Sequence, residues 1–179
     1  MAILRRKSVA DAGNRSKCVG LLSWIEWSKE RLLYLGASCK FKLMKSTTET
    51  KFDRIVKQGF HEILKPLGFK KKGNNFYSYK NGIGHIINLQ KSYYYSKDHI
   101  HFTINTGIFL PEFWSSFYNY FNKPIPDFPT EPECVLRKRI GQLRNENDLW
   151  YDITEDGDEN GLITEMKKNL NQYILPHFG

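Results

Sequence analysis

An alternation of apolar and polar residues from His99 to Phe109 constrains the fold more than any other stretch of the chain. The positions on the apolar side are Ile100, Phe102, Ile104, Thr106 and Ile108. Side chains on a β-strand point to opposite faces in turn, so this period of two predicts a strand with one apolar face. Asn75–Lys80 and Gly84–Ser92 have strand composition, and Asn81-Gly82 between them favours a tight type I′ hairpin turn. We therefore predict an antiparallel sheet.

An amphipathic helix is predicted before the sheet, from about Thr48 to Lys65. Its apolar residues recur at intervals of three and four, which places them on one stripe. They are Phe52, Ile55, Val56, Phe60, Ile63, Leu64 and Leu67. Ser46 and Glu49 have the spacing of a capping box, which marks the start of the helix. Gly59 falls on the same stripe, and we expect it to let the helix approach the sheet closely.

Further elements complete an α+β pattern. A second amphipathic helix is predicted from about Asp158 to Tyr173, and a shorter aromatic helix begins at Pro111. Cys134–Leu143 and Leu149–Ile153 alternate like strands. The predicted fold is α+β: an antiparallel sheet of about five strands, N- and C-terminal helices packed on one face, and an inserted aromatic helix.

The first forty-three residues differ from the rest. Residues 1–50 carry a charge of +6 out of the total of +8, whereas residues 51–179 are nearly neutral. We predict a single α+β domain over residues 44–179 and a poorly ordered basic extension over residues 1–43. Two other interpretations stay open: a surface-bound amphipathic helix in the extension, or a natural start at Met44.

The cysteines and the hydropathy indicate the compartment. Cys18, Cys39 and Cys134 are scattered and odd in number, which argues against a disulfide framework. The apolar clusters are too short for a membrane span, and Ser8–Lys17 is polar where a signal peptide would be apolar. We expect a cytoplasmic protein.

A row of polar side chains is predicted on the second face of the sheet. We call it the polar face, and it consists of Asn88, Gln90, His101, Thr103 and Asn105. It is open to three interpretations: a solvated surface, a surface that binds a ligand or partner, or a catalytic surface with His101 as base. Neither a nucleophile elbow nor a pair of carboxylates at catalytic spacing accompanies it, so we predict no catalytic residue.

Metal chemistry receives little support from the sequence. His99 and His101 lie on one face of a strand, as two zinc ligands can. His85 is predicted to point to the opposite face, and no carboxylate stands at a matching spacing. We predict neither a metal nor a cofactor.

Cations and aromatic residues near the hairpins raise the possibility of nucleic-acid binding. Lys70, Lys71 and Lys72 form a run that could hold an anion but is more typical of a solvated turn. Tyr93, Tyr94 and Tyr95 could stack on bases, although exposed tyrosine is also common in protein interfaces. Because the domain is nearly neutral, we rank nucleic acid below a protein partner.

Several segments together resemble a known family. They are Gly68–Phe76, Ile87–Ser92, His101–Gly107, Arg139–Gly141 and Trp150. Over about residues 49–178 the chain resembles the uncharacterised family called domain of unknown function 4304. The resemblance implies a small, mostly bacterial protein, and it supplies no activity and no catalytic residues.

These observations favour a non-enzymatic protein-interaction module of unidentified partner, with an immunity-like protein that blocks another protein as one form. The Pro-rich stretch 122–133 could be either a docking site or a passive connector. The first alternative is a small-ligand binder or enzyme that uses the polar face, and the second is a nucleic-acid binder. A deep pocket over the polar face would favour the first alternative.

Overall fold

One antiparallel sheet organises the computed structural model, which describes residues 45–179 apart from 95, 97 and 119–121. Its described strands are β1 (Lys70–Lys72), β2 (Asn75–Lys80), β3 (Ile83–Lys91), β4 (His99–Phe109), β5 (Leu136–Arg139) and β6 (Tyr151–Thr154). The strand order is β1-β2-β3-β4-β5, and β6 also pairs with β4. The fold is therefore α+β with an antiparallel sheet, as predicted. The predicted extension over residues 1–43 lies outside the described residues.

The tight hairpin is confirmed between β2 and β3. Lys80 pairs with Ile83, which leaves Asn81 and Gly82 as the two turn residues. Their φ angles are 54° and 81°, in the left-handed region that a type I′ turn requires at both positions.

Strand β4 has a partner on each side along most of its length. One edge pairs with β3 from Lys91 to Gly84. On the other edge, His99–Phe102 pairs with β6, and Asn105–Ile108 pairs with β5. Two short strands that are distant in sequence therefore lie one after the other along a single edge of β4.

The strand predicted over Cys134–Leu143 is too long, because its last four residues form a short helix. Strand β5 ends at Arg139, and Ile140–Leu143 forms the helix α3. The chain turns because Ile140 is fully buried in the core, and the Gln142 side chain accepts a hydrogen bond from the Arg139 backbone at 2.9 Å. Gly141 permits the turn, since a Cβ there would lie 2.1 Å from the backbone oxygen of Asn147.

Three longer helical segments accompany the sheet, and α3 joins β5 to the loop before β6. Helix α1 comprises Thr47–Ile55, the π-helical segment Val56–His61, and Glu62–Leu64. Helix α2 is Pro111–Tyr118. Helix α4 comprises Glu159–Asn169, the π-helical segment Leu170–Ile174, and Leu175–His177. The backbone NH of Glu49 donates to the Ser46 side chain at 3.2 Å, which confirms the predicted start of α1.

Helices α1 and α4 bury the apolar face of the sheet. The fully buried side chains between them include Phe52, Phe60, Leu89, Phe102, Ile104, Met166 and Leu170. Gly59 was expected to let α1 approach the sheet, and that expectation is wrong. This residue faces α4, where an added Cβ would lie 3.0 Å from the Cβ of Met166. The close approach is thus between two helices.

Helix α2 covers part of the second face. Ile86, Phe109 and Trp114 form a small buried cluster there, and the indole nitrogen of Trp114 donates to the Pro124 carbonyl at 3.1 Å. Phe128 of the Pro-rich stretch lies 5.5 Å from Tyr77, between ring centroids. The second face is therefore apolar beneath α2 and polar toward the start of β4.

Candidate binding face

Strand register brings the predicted polar face together. Asn88 lies opposite Asn105, and Gln90 lies opposite Thr103. The side-chain nitrogen of Asn105 donates to the Asn88 oxygen at 3.2 Å and to the Gln90 oxygen at 2.8 Å. The Asn88 nitrogen in turn donates to Asn75 on β2 at 2.7 Å. Four amide side chains from three strands therefore form one hydrogen-bonded chain.

The polar face is only partly solvated. Thr103 is fully buried and Asn105 is 4% exposed, whereas Gln90 is exposed and His101 is half-buried. The loop between α3 and β6 contacts this part of β4, where its Leu149 carbonyl accepts a hydrogen bond from the Thr103 hydroxyl at 2.7 Å. Asn105 Oδ1 is buried and has no hydrogen-bond partner among the described residues. The interpretation as a plain solvated surface therefore does not fit Thr103 and Asn105.

The same loop places an aromatic ring against His101. The Trp150 ring stacks on the His101 ring with a centroid distance of 4.8 Å and an angle of 5°. Its indole nitrogen donates to Asp148 at 3.0 Å, and Arg139 donates to the same carboxylate oxygen at 2.6 Å. The Arg139 guanidinium also lies 5.4 Å from the Trp150 ring centroid. Trp150 and the His101 ring are therefore held in place by contacts at several points.

A carboxylate that sequence spacing did not indicate lies beside the histidine pair. Asp152 on β6 is directly opposite His101. Its Oδ1 lies 2.5 Å from His99 Nε2 and 2.7 Å from His101 Nδ1. Partial burial raises the pKa of Asp152, but the hydrogen bonds from His101 and His99 outweigh this effect, so its pKa falls below the usual 3.8. The carboxylate is thus held in its ionised form.

Sequence offered a partial signal for Asp152. It lies between two buried residues of β6, so the alternation places its side chain on the polar side. The pairing of β6 with the first half of β4 was not available from the sequence, because the two segments are separated by some fifty residues. His85 points to the other face, as predicted, where its ring stacks on Phe178 at 4.7 Å.

The tyrosines lie beyond the end of the polar face. Tyr93 and Tyr94, in the β3–β4 loop, are 91% and 92% exposed, and their rings meet edge to face at 5.5 Å. Tyr95 lies outside the described residues. Two adjacent tyrosines that are almost fully solvated contribute very little to either core.

The lysine run forms a strand rather than the turn that was predicted. Lys70, Lys71 and Lys72 make up β1 at the edge of the sheet, and all three are exposed. They pair in register with Tyr77, Phe76 and Asn75. Because side chains alternate along a strand, Lys71 points to the opposite side from its two neighbours, so the three cations do not converge on one anion.

Two clefts on the described surface adjoin the region around Asp148 and Asp152. One of about 280 Å³ is lined by residues that include Lys51, Asp152 and Glu159, and one of about 430 Å³ is lined by residues that include Arg139 and Asp148. Neither is lined by a residue of the polar face. In the described part of the chain, no helix has the length and apolar character needed to span a membrane.

Comparison with known proteins gives one match. No curated protein and no solved structure is similar enough to the chain to be matched. Residues 60–179, two-thirds of the chain, match a family described only as a domain of unknown function, and this segment contains all six described strands but only the last five residues of α1. The chain belongs to the family called domain of unknown function 4304.

Proposed function

We propose that the protein is a non-enzymatic interaction module that binds a protein partner through the polar face and the adjoining Tyr93-Tyr94 pair. The observation that carries the proposal is the nearly complete exposure of these two tyrosines at the end of β3. Tyrosine is enriched in protein interfaces, where its ring buries a large area and its hydroxyl forms a hydrogen bond. Exposing two such rings side by side is unfavourable in water, and a partner that covers them removes this cost.

The loop that carries the tyrosines is anchored at both ends. Ser92 donates through its backbone NH to the His101 carbonyl at 2.7 Å, and Ser96 donates to the His99 carbonyl at 2.9 Å. The Ser92 hydroxyl accepts the Tyr94 NH at 3.3 Å, and the Ser96 hydroxyl accepts the His99 NH at 3.1 Å. An anchored loop loses less conformational entropy on binding than a free one, which favours association.

The polar face supports the same function. Asn105 fixes the oxygen ends of Asn88 and Gln90, while Gln90 itself remains exposed to solvent. Amides held in one orientation offer a partner defined donors and acceptors with little ordering cost. Such a surface suits the backbone and polar side chains of another protein.

Charge favours a protein partner over nucleic acid. The Lys91 ammonium lies 4.4 Å from the Phe52 ring centroid, on the side of the sheet that α1 covers. Arg139, beside the polar face, is paired with Asp148. Phosphate binding draws mainly on Lys and Arg that face the ligand, and these two side chains are engaged elsewhere.

The proposal is tested by affinity capture with the full chain as bait, in lysate of the source cells, with and without nuclease. The test bait carries Tyr93→Ala with Tyr94→Ala, and a second test bait carries Gln90→Ala. The matched control is Tyr79→Ala, because Tyr79 is also exposed but lies near the β2–β3 hairpin, away from the loop. Bound proteins are quantified by mass spectrometry.

A protein that the wild type and Tyr79→Ala retain, and that the double tyrosine variant loses at least tenfold, would support the proposal. Equal retention by all baits would contradict it, as would retention that disappears with nuclease. An immunity-like role is tested on the captured protein by measuring its activity with and without the wild-type chain. Inhibition that the double variant fails to produce would support that role.

A cytoplasmic location is part of the proposal. Among the described residues the one cysteine, Cys134, is a free thiol, which suits a reducing compartment.

A further inference from the structure

We infer that His99, His101 and Asp152 form a binding site for a divalent transition-metal ion of the zinc type. The inference goes beyond the proposed partner and does not depend on it. The three side chains come from β4 and β6 on one side of the sheet, and one ligand atom from each lies within 4.8 Å of the other two.

The geometry is close to what a tetrahedral ion requires. Ligand atoms bound to Zn²⁺ at 2.0–2.1 Å lie about 3.3 Å apart. The Asp152 oxygen now lies 2.5 Å from His99 Nε2 and 2.7 Å from His101 Nδ1. An entering ion therefore has to move the carboxylate oxygen away from each ring nitrogen by less than about 1 Å. It also has to bring the two ring nitrogens, which lie within 4.8 Å of each other, to about 3.3 Å, and side-chain rotations of exposed rings supply both changes.

The chemistry of the ligands selects the class of ion. Two imidazoles with one carboxylate suit zinc and its neighbours among the transition metals, whereas calcium and magnesium prefer oxygen ligands alone. Three protein ligands leave one tetrahedral position, which water fills. The side chains of His99, His101 and Asp152 are 52%, 38% and 51% exposed, so an ion reaches them directly from solvent.

The surroundings hold the ligands in place. Ile100 and Phe102, which flank His101, are fully buried, so the β4 backbone is fixed on the core. The Trp150 ring lies flat on His101, and its hydrogen bond to Asp148 sets the ring plane. Contacts of this kind around the ligands commonly account for a tenfold to hundredfold share of metal affinity.

The fold itself gains little from the cluster. Exposed pairs of this kind contribute very little to stability, because water screens them. Two histidines that share one carboxylate oxygen at the surface are therefore better explained by a ligand than by packing.

The test is isothermal titration calorimetry of the metal-free full chain with Zn²⁺, repeated with Co²⁺ and followed by visible absorption. Cys18→Ser and Cys39→Ser are present throughout, so that these thiolates do not compete. The ligand variants are His99→Ala and Asp152→Asn, and circular dichroism verifies that each is folded. The matched control is His85→Ala, because His85 lies on the opposite face.

We expect one Zn²⁺ per chain in the parent protein and in His85→Ala. Each ligand variant should bind at least about 100-fold more weakly, and Trp150→Leu about tenfold more weakly. The absence of saturable binding in the parent protein would overturn the inference. Unchanged affinity in both ligand variants would also overturn it, since the ion would then lie elsewhere.

Discussion

At the scale of single residues, Asn105 determines the order of the polar face. It is almost fully buried and donates to two other amides, yet its own oxygen has no partner among the described residues. A buried polar group that is only half satisfied costs free energy, so the unpaired oxygen offsets part of what the two donated hydrogen bonds contribute. The presence of Asn105 fits a surface whose polar groups must hold one arrangement.

We expect Asn105→Ala to lower the free energy of unfolding by about 1–3 kcal/mol, because the partly buried oxygen of Asn88 loses a donor. Gln90→Ala, at an exposed position, should change it by less than about 0.5 kcal/mol. Urea denaturation of the two variants measures both values. A cost of Asn105→Ala no larger than that of Gln90→Ala would contradict the structural role of Asn105.

At the scale of elements, the connection from α3 to β6 carries much of the site. It supplies the Leu149 carbonyl to Thr103, the stacked Trp150 to His101, and Asp148 to Arg139. Its path is fixed where Gly141 passes the backbone of Asn147. The close approach of these two backbone segments thus helps to position the loop that carries Asp148 and Trp150.

Gly141→Ala should destabilise the protein by about 3 kcal/mol, at the upper end of the cost of overpacking, because the new Cβ meets backbone that cannot rotate away. Gly73→Ala is the comparison. An added Cβ at Gly73 would meet open space, but the φ of 59° is unfavourable for alanine. This substitution should therefore cost about 1 kcal/mol. Denaturant midpoints give both values, and a Gly141→Ala cost no larger than that of Gly73→Ala would contradict the close contact.

His85 on β3 stacks on Phe178, which directly follows α4, and this contact depends on pH. Burial lowers the pKa of His85 below 6.5, and the positive charges of Lys80 and His177 lower it further. The unfolded chain therefore takes up a proton at a higher pH than the folded chain does. The contribution of neutral His85 to the free energy of unfolding is therefore fully present above pH 6.5. It is lost as the pH falls toward the pKa of His85 in the folded protein.

We expect His85→Gln to lose less stability than the wild type between pH 7.5 and pH 5.5, because it removes one group with a lowered pKa. Part of the loss should remain, since burial and Lys138 also lower the pKa of His177. Unfolding free energies at the two pH values test this. The same loss in both proteins would contradict the role of His85.

At the scale of the whole molecule, the two buried clusters are made among residues 45–179. The boundary between an extension over residues 1–43 and a domain from residue 44 stays a prediction. We expect deletion of residues 1–43 to change Tm by less than about 3 °C, the shift that about 1 kcal/mol produces in a chain of this size. Thermal unfolding followed by circular dichroism measures it, and a larger fall would assign the extension a structural role.

Much of the architecture was predictable because local patterns determine it. The alternation of β4, the Asn81-Gly82 turn and the stripe of α1 each follow from residues that are neighbours in sequence. The turn of the chain at Ile140 and the position of Asp152 beside His101 were not predictable in this way. Both depend on which edge of β4 the later segments occupy, and packing between distant parts of the chain decides that.

The exposed lysines of β1 also bear on how copies of the protein meet in concentrated solution. An edge strand presents unpaired backbone groups that a second copy can extend into a continuous sheet, the first step toward fibrils. Here the edge carries Lys70, Lys71 and Lys72, all exposed. Two such edges in contact would bring six positive charges together, and this repulsion opposes self-assembly. The three lysines thus oppose edge-to-edge pairing of the sheets of two molecules.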